Sequence, residues 1–438
     1  MNLISNFIFL FILSFSLILF YKNIKKIIDN INLGKPGKDI DNTRKRWKKV
    51  FFIAFGQSKM FKKPLVAILH LIVYAGFVII NIEILEIIID GVFGTHRVFS
   101  FLGGFYNFLI GSFEILALLV LVSCVIFLIR RNILRIKRFW SPEMKGWPTS
   151  DANLILIFEI LLMSAFLFMD AADLILQERG HYMQAGSFPV SQLIISPFLN
   201  GLSNSALIFI ERFCWWFHII GIFGFLNYLV ISKHLHIILA FPNTFYSNLN
   251  PKGQFNNMVS VTNEVKMMLD PNSDPYASNN DNVNSDVFGA KDVKDLKRIQ
   301  LLNAYSCTEC GRCTAECPAN VTGKKLSPRK IMMDVRDRVE EVGKNIRKSG
   351  LDYDDGKSLL NDYITKEEIW ACTSCNACVE ACPISIDPLS IIMELRRFSV
   401  MEESSAPTEI NTVFSNIENN GAPWQFPASD RLKWKDNE

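Results

Sequence analysis

Eight cysteines fall into two runs. CTECGRCTAECP carries Cys307, Cys310, Cys313 and Cys317, and CTSCNACVEACP carries Cys372, Cys375, Cys378 and Cys382. Both follow C-x2-C-x2-C-x3-C-P, a spacing at which three thiolates of one short loop reach three irons of a [4Fe–4S] cube. The fourth thiolate, before proline, commonly ligates the other cube of a two-cluster protein. This predicts one cluster on Cys307, Cys310, Cys313 and Cys382, and a second on Cys372, Cys375, Cys378 and Cys317. Structural zinc usually takes cysteines in pairs rather than as a triplet plus one. Disulfides are rare in a reducing cytoplasm, where the topology below puts these residues. With all eight ligands present and no obvious open coordination site, the expected chemistry is electron transfer, and no catalytic nucleophile is expected. Cys124 and Cys214 lie in apolar runs without such spacing and read as small buried side chains.

The second set of possible ligands is histidine. Residues 217–238 read FHIIGIFGFLNYLVISKHLHII, with His218, His234 and His236, and His70 follows Pro64 in PLVAILHLIV. Two imidazoles from facing helices at one depth can ligate a haem b. On a continuous helix, His218 and His236 share a face with about 27 Å of rise between them, whereas His234 sits about 160° away from His218. His236 and His70 both fall near the cytoplasmic ends of their helices, so they are expected to hold a haem. His218 would serve a second haem nearer the outer surface. Its partner is not evident: Asn81 lies three turns out on the His70 face, and the loop histidines His96 and His181 are the other candidates. His234 reads as a bystander beside Lys233.

These side chains need elements to hold them. Half of the 438 residues are hydrophobic, 35 of them Phe. The apolar residues concentrate in the first 240 positions, in runs of the roughly 20 residues that cross a bilayer. Five spans are predicted, over 3–21, 65–89, 105–129, 152–176 and 205–231, the last continuing to about 241. The first has no Lys or Arg before Lys22 and no small-residue cleavage site, so it reads as a retained helix. Basic residues crowd the loops after spans one and three, as in RKRWKK and RRNILRIKR. The positive-inside rule then puts those loops and everything after span five in the cytoplasm, with the N-terminus outside. The net charge of +3 comes mainly from these loops and gives no reason to expect nucleic acid. The basic segment 47–64 reads as an interfacial helix on lipid headgroups.

The expected fold is all-α: a five-helix transmembrane bundle over 1–241, a polar linker over 242–294, a cytoplasmic α-helical ferredoxin-like domain over 295–400, and an extended tail over 401–438. In the tail, Trp424, Phe426 and Trp434 could anchor a partner. An internal repeat supports a duplicated cluster module. SPRKIMMDVR follows the first cysteine run and DPLSIIMELR the second, each opening on an N-cap residue and a proline, with Ile, Met and Arg at matching offsets. Ionisable residues within spans point to proton or quinone chemistry. Glu83 and Glu86 are candidates for a quinol site near the outer surface. Asp90, Asp170 and Asp173 read as solvated at the interface, and Glu114 and Glu159 as deeper groups paired with buried polar atoms.

The two cysteine runs and the charged helical segment between them resemble the α-helical ferredoxin module of heterodisulfide reductase small subunits and of fumarate and succinate dehydrogenase iron–sulfur subunits. NIENNGAPW, over 416–424, is similar to a segment that follows the second cluster in heterodisulfide reductase-type proteins. Five spans with histidines on the second and fifth resemble the gamma (cytochrome b) subunit of respiratory nitrate reductase and the related heterodisulfide reductase membrane subunit. In that family spans two and five each carry two histidines. His70, His218 and His236 match three of these, and Ile80 stands at the fourth. The resemblance implies an inner-membrane subunit of bacterial respiration. It would exchange electrons between menaquinone or ubiquinone, one or two haems b and two [4Fe–4S] clusters, and a cytoplasmic iron–sulfur or flavin oxidoreductase subunit that carries the second catalytic site. The rival reading is a haem-free membrane-anchored ferredoxin that tethers its partner.

Overall fold

The computed structural model describes residues 3–37, 40–270 and 287–437. Every regular element among them is a helix. Five are long and apolar enough to cross a membrane: α1 Leu3–Asn32, α2 Pro64–Phe93, α3 Gly104–Leu128, α4 Trp147–Glu178 and α5 Asn204–Ile231. They close into a ring in which α1 packs on α2 and α5, α2 on α3, α3 on α4, and α4 on α5. Local chemistry sets their ends. α2 starts on Pro64, whose missing N–H costs nothing at a helix start, and stops at Gly94, whose φ of 75° lets its N–H bond back to the Asp90 carbonyl at 2.8 Å. α1 and α2 approach so closely that a Cβ on Gly91 would meet the Phe9 ring at 2.6 Å. Phe9 is fully buried there, against Trp215, Trp216 and Phe223.

Two of the predicted boundaries change. α1 runs to Asn32 rather than 21, because no helix breaker precedes Gly34 and its charged last turns dock on the C-terminal domain. Span five is not one helix to residue 241. It ends at Ile231, and Ser232 takes an extended conformation (φ −111°, ψ 162°) while its hydroxyl accepts from the His234 N–H at 3.1 Å. A short turn, Lys233–Leu235, leads into α6, His236–Tyr246. The helical phase that set His236 on the His218 face therefore does not carry across Ser232.

The C-terminal domain packs around Leu301, Ile331, Val335, Leu359, Ile369, Ile391 and Leu395, all fully buried. Its main helices are α7 Arg298–Ser306, α8 Pro328–Ser349 and α9 Pro388–Met401. The repeat appears as predicted at the starts of α8 and α9. Ser327 accepts from Lys330 N at 3.4 Å and Asp387 from Ser390 N at 2.9 Å, each followed by proline. Ala290, Val293 and Leu296 are fully buried in the same core, so the packed unit starts upstream of 295. Part of the polar linker, 271–286, lies outside the described residues. The domain sits on one end of the bundle. Asn30 donates to the Tyr305 hydroxyl at 2.8 Å, the fully buried Arg329 pairs with Glu143 at 2.6 Å, and Asn243 donates to the Ile384 carbonyl at 2.8 Å.

Candidate functional site

The two cysteine loops share an unusual backbone. Glu309 (φ 55°) and Gly311 (φ 70°) in the first occupy the same places as Ser374 (φ 56°) and Asn376 (φ 64°) in the second. A left-handed residue other than glycine costs about 1–2 kcal/mol, so something must hold these turns. The repeat-matched arginines do so. Arg336 from α8 donates to Glu309 at 2.8 Å, while Arg396 from α9 donates to the carbonyls of Ile369 and Cys372 and to the Ser374 hydroxyl at 3.3 Å.

All eight thiols are free. Their electrostatic neighbours cross between the two loops. Burial raises Cys307 to about 12, with Glu309, Cys310 and Cys382 adding to the rise. Burial also raises Cys313, followed by Cys307, Cys310, Cys382 and Cys378. Cys382 is pushed up to about 11 by burial and then by Cys310. On the other side, burial raises Cys372, with Cys317 and Cys375 near it. It pushes Cys378 up to about 12, with Asp387, Cys372 and Cys317 contributing. Backbone N–H groups reach sulfur at Ser374 to Cys372 (3.4 Å) and Ile386 to Cys382 (3.3 Å). Among the described residues no three metal-binding side chains close tightly enough around a single ion. The eight free thiols of the two loops together form a donor set that suits two [4Fe–4S] clusters. Cys375 is the exposed member.

The first loop is tied to the histidines. Buried Glu309 pairs with Lys233 at 2.5 Å and Arg336 at 2.8 Å, which against the effect of burial hold its carboxyl below the usual range. The Lys233 carbonyl accepts from His236 Nδ1 at 3.1 Å. His70, in the second turn of α2, has its Nδ1 on Gln57 Oε1 at 3.0 Å. The His70 and His236 ring centroids lie 6.4 Å apart. Two imidazoles sharing one iron at metal–nitrogen bonds of ~2 Å would put their centroids about 6 Å apart. Both Nδ1 atoms are already engaged, which leaves Nε2 for a metal, the usual arrangement around a ligating histidine. The donor pair fits a haem iron. Arg312, between Cys310 and Cys313, is within electrostatic reach of His70. The turn after Ser232 sets the His234 ring 5.6 Å from that of His236 and edge-on to Phe225 at 5.2 Å.

His218 is placed differently. Its Nδ1 donates to the Leu162 carbonyl at 3.0 Å and its ring lies against Phe166. It lines a cavity of about 70 Å³ with Ile80, Asn81, Glu83 and Glu159. Among the described residues no second imidazole borders that cavity. His96 lies 3.8 Å from Asp173, and His181 is bonded to Asn204.

At the bundle end away from the domain, the carboxylates read as solvated are buried instead. Asp170 and Asp173 are fully buried, bonded to Arg97 at 3.1 and 2.5 Å, and Asp90 accepts from the Arg97 N–H at 2.7 Å. Arg97 was missed as a site residue because a lone loop arginine carries no sequence signal of its own. The signal available was a group of carboxylates with no cation among them. Lys233 and Glu309 were missed too, since their pairing arises only from the docking of the two domains, and Gln57 was missed because its contact with His70 depends on how the segment before α2 folds back. The basic segment before α2 also departs from expectation. Lys59 and Lys62 reach the second cysteine loop, at the Cys382 carbonyl (3.3 Å) and Glu380 (2.9 Å), because the domain covers that face.

Residues 306–386 match the family described as a 4Fe-4S dicluster domain. Over 460 aligned positions the chain is 28% identical to the protein named "Probable iron-sulfur-binding oxidoreductase FadF" of Bacillus subtilis, covering 98% of this chain and 60% of that one. It is 28% identical to "EtfAB:quinone oxidoreductase" of Syntrophomonas wolfei, over 88% of this chain and 53% of the relative. The chain thus spans little more than half the length of these curated relatives. One component of the ferredoxin/F(420)H(2)-dependent CoB-CoM heterodisulfide reductase of Methanosarcina acetivorans is 33% identical over 27% of this chain and 60% of its own length. No solved structure matches. These likenesses support an iron–sulfur electron-transfer oxidoreductase component built on five apolar helices.

Proposed function

We propose that the chain is a membrane-bound electron-transfer subunit that links the quinone pool to two [4Fe–4S] clusters and, through them, to a partner oxidoreductase. Cys307, Cys310, Cys313 and Cys382 hold one cluster, Cys372, Cys375, Cys378 and Cys317 the other, and His70 with His236 a haem b. When bound, these groups supply one-electron carriers. The observation that carries the reading is the juxtaposition of the His70–His236 pair with the first cysteine loop, joined through Lys233 and Glu309. Gln57 and the Lys233 carbonyl fix the two imidazole tautomers, and Arg336 and Arg396 fix the loops. The exposed Cys375 marks the second cluster as the exchange point with the partner, and Trp424, Phe426 and Trp434 on the exposed tail offer it anchors. The relative named for EtfAB and quinone supports a quinone on one side and a protein electron carrier on the other. The basic loops share the end that carries the cluster domain, which supports a cytoplasmic place for that domain in a bacterial inner membrane.

The haem assignment is tested by a reduced-minus-oxidised spectrum of the purified membrane protein. A b-type α-band near ~560 nm is expected. It should be lost in both His70→Ala and His236→Ala, while iron and sulfide content stays at wild-type level. Absence of the band from the wild-type protein would leave the membrane-anchored ferredoxin reading.

A further inference from the structure

We propose that the His218 cavity and the buried carboxylates beyond it form a proton route between the quinone and the membrane face opposite the cluster domain. This rests on the quinone-linked reading above. The cavity of about 70 Å³ is open on one side, and at ~10–15 Å³ for one water it has room for several. Two carboxyls, Glu83 and Glu159, and one imidazole line it among apolar walls. Glu83 is 5% exposed and its Oε2 has no hydrogen-bond partner. The His218 Nδ1 proton is held by the Leu162 carbonyl, which leaves Nε2 free to take a proton.

From Glu83 the route leads outward. Around it stand Glu86 on its own helix, Glu114 on α3, Glu159 and Asp170 on α4, His218 on α5, and Arg97 from the loop after α2. Asp170 is fully buried, with Oδ1 on Arg97 and Oδ2 unpartnered. Arg97 also bonds Asp173 and the Tyr106 hydroxyl, which donates to Glu86 at 2.8 Å. Asp173 faces His96 at 3.8 Å, and the His96 side chain is 36% exposed. Asp170 and Asp173 thus pair with the Arg97 guanidinium, Glu86 reaches it through Tyr106, and Asp90 caps its backbone N–H. Glu211 with its partner Arg212 stands beside Asp173, so that Glu83, Glu86, Glu114, Asp170, Asp173 and Glu211 share two guanidinium groups. At low dielectric they cannot all carry charge, so protons reside in the network. Oxidation of one quinol breaks two O–H bonds. The two protons enter at Glu83 and His218 and leave past His96, and the two electrons go one at a time to the carriers of the C-terminal domain. Quinone reduction runs the same route inward.

The test uses the full-length protein in liposomes with the cluster domain outward, a ubiquinol analogue in the lipid, ferricyanide outside and a pH dye trapped in the lumen. Two protons should appear in the lumen per quinol oxidised. Glu83→Gln and Asp170→Asn should each slow the reaction at least ~10-fold with wild-type cluster EPR amplitudes, and Glu83→Asp should recover part of the rate. A carboxyl band in the redox-difference infrared spectrum should vanish in Glu83→Gln. Protons released only on the cluster side, or wild-type rates in both amide variants, would overturn the route and leave quinone-linked electron transfer standing. No electron transfer from quinol in the wild-type protein would remove both.

Discussion

Glu309 sits one residue before Cys310, 3% exposed, with Lys233 and Arg336 on its two oxygens. Removing one partner of a buried pair leaves an uncompensated charge and costs about 3–5 kcal/mol. In Lys233→Ala the carboxylate keeps Arg336, so the loss should be smaller, about 1.5–3 kcal/mol, and a double-mutant cycle with Glu309→Ala should show strong coupling. The carboxylate also has an electrostatic role. Net charge and hydrogen bonding near the sulfurs set cluster potentials, and a negative charge beside the first loop disfavours the more negative reduced state. Glu309→Gln should raise the midpoint potential of the first cluster in an EPR redox titration and leave the second near its wild-type value. Equal shifts in both clusters would place the charge elsewhere than the structure does.

At the scale of elements, the duplicated half-modules make a separable prediction. Arg336 and Arg396 stand at matching offsets on α8 and α9 and clamp one cysteine loop each. Arg336→Met should broaden or delete the EPR signal of the first cluster, and Arg396→Met that of the second. Much of this level was legible in sequence. N-cap, proline and apolar periodicity are local, so the starts of α8 and α9 and the five long helices could be read directly. Cysteine spacing is local too, and the two-cluster character of the domain could be read from it. The break after Ile231 was not legible, because neither proline nor glycine marks Ser232 and apolar residues resume after Lys233, His234 and His236. Only the close contacts of Lys233 with Asp151 and Glu309 show why the chain turns there. The nearness of His70 to His236 was expected from their common depth at the cytoplasmic helix ends, whereas the shared face of His218 and His236 rested on a continuous helical phase that the fold does not use. Arg97 stayed hidden because its three buried carboxylate partners come from two helices, at positions 90, 170 and 173.

Across the whole molecule, ionisable groups are split by depth. The end under the C-terminal domain holds the basic segments, the histidine pair and the first cysteine loop. The other end holds a carboxylate network around Arg97. Between them lies the small cavity beside His218. Such a layout suits a chain that separates electrons toward one face from protons toward the other. Its central claim is that a membrane quinol and the clusters communicate through the bundle. The direct measurement is EPR of the purified, oxidised full-length protein after anaerobic addition of a menaquinol or ubiquinol analogue. Reduced [4Fe–4S] signals should appear, reaching a substantial part of the intensity that dithionite produces. Clusters that dithionite reduces fully while every quinol leaves them oxidised, and that in their reduced state transfer nothing to added quinone, would contradict the account.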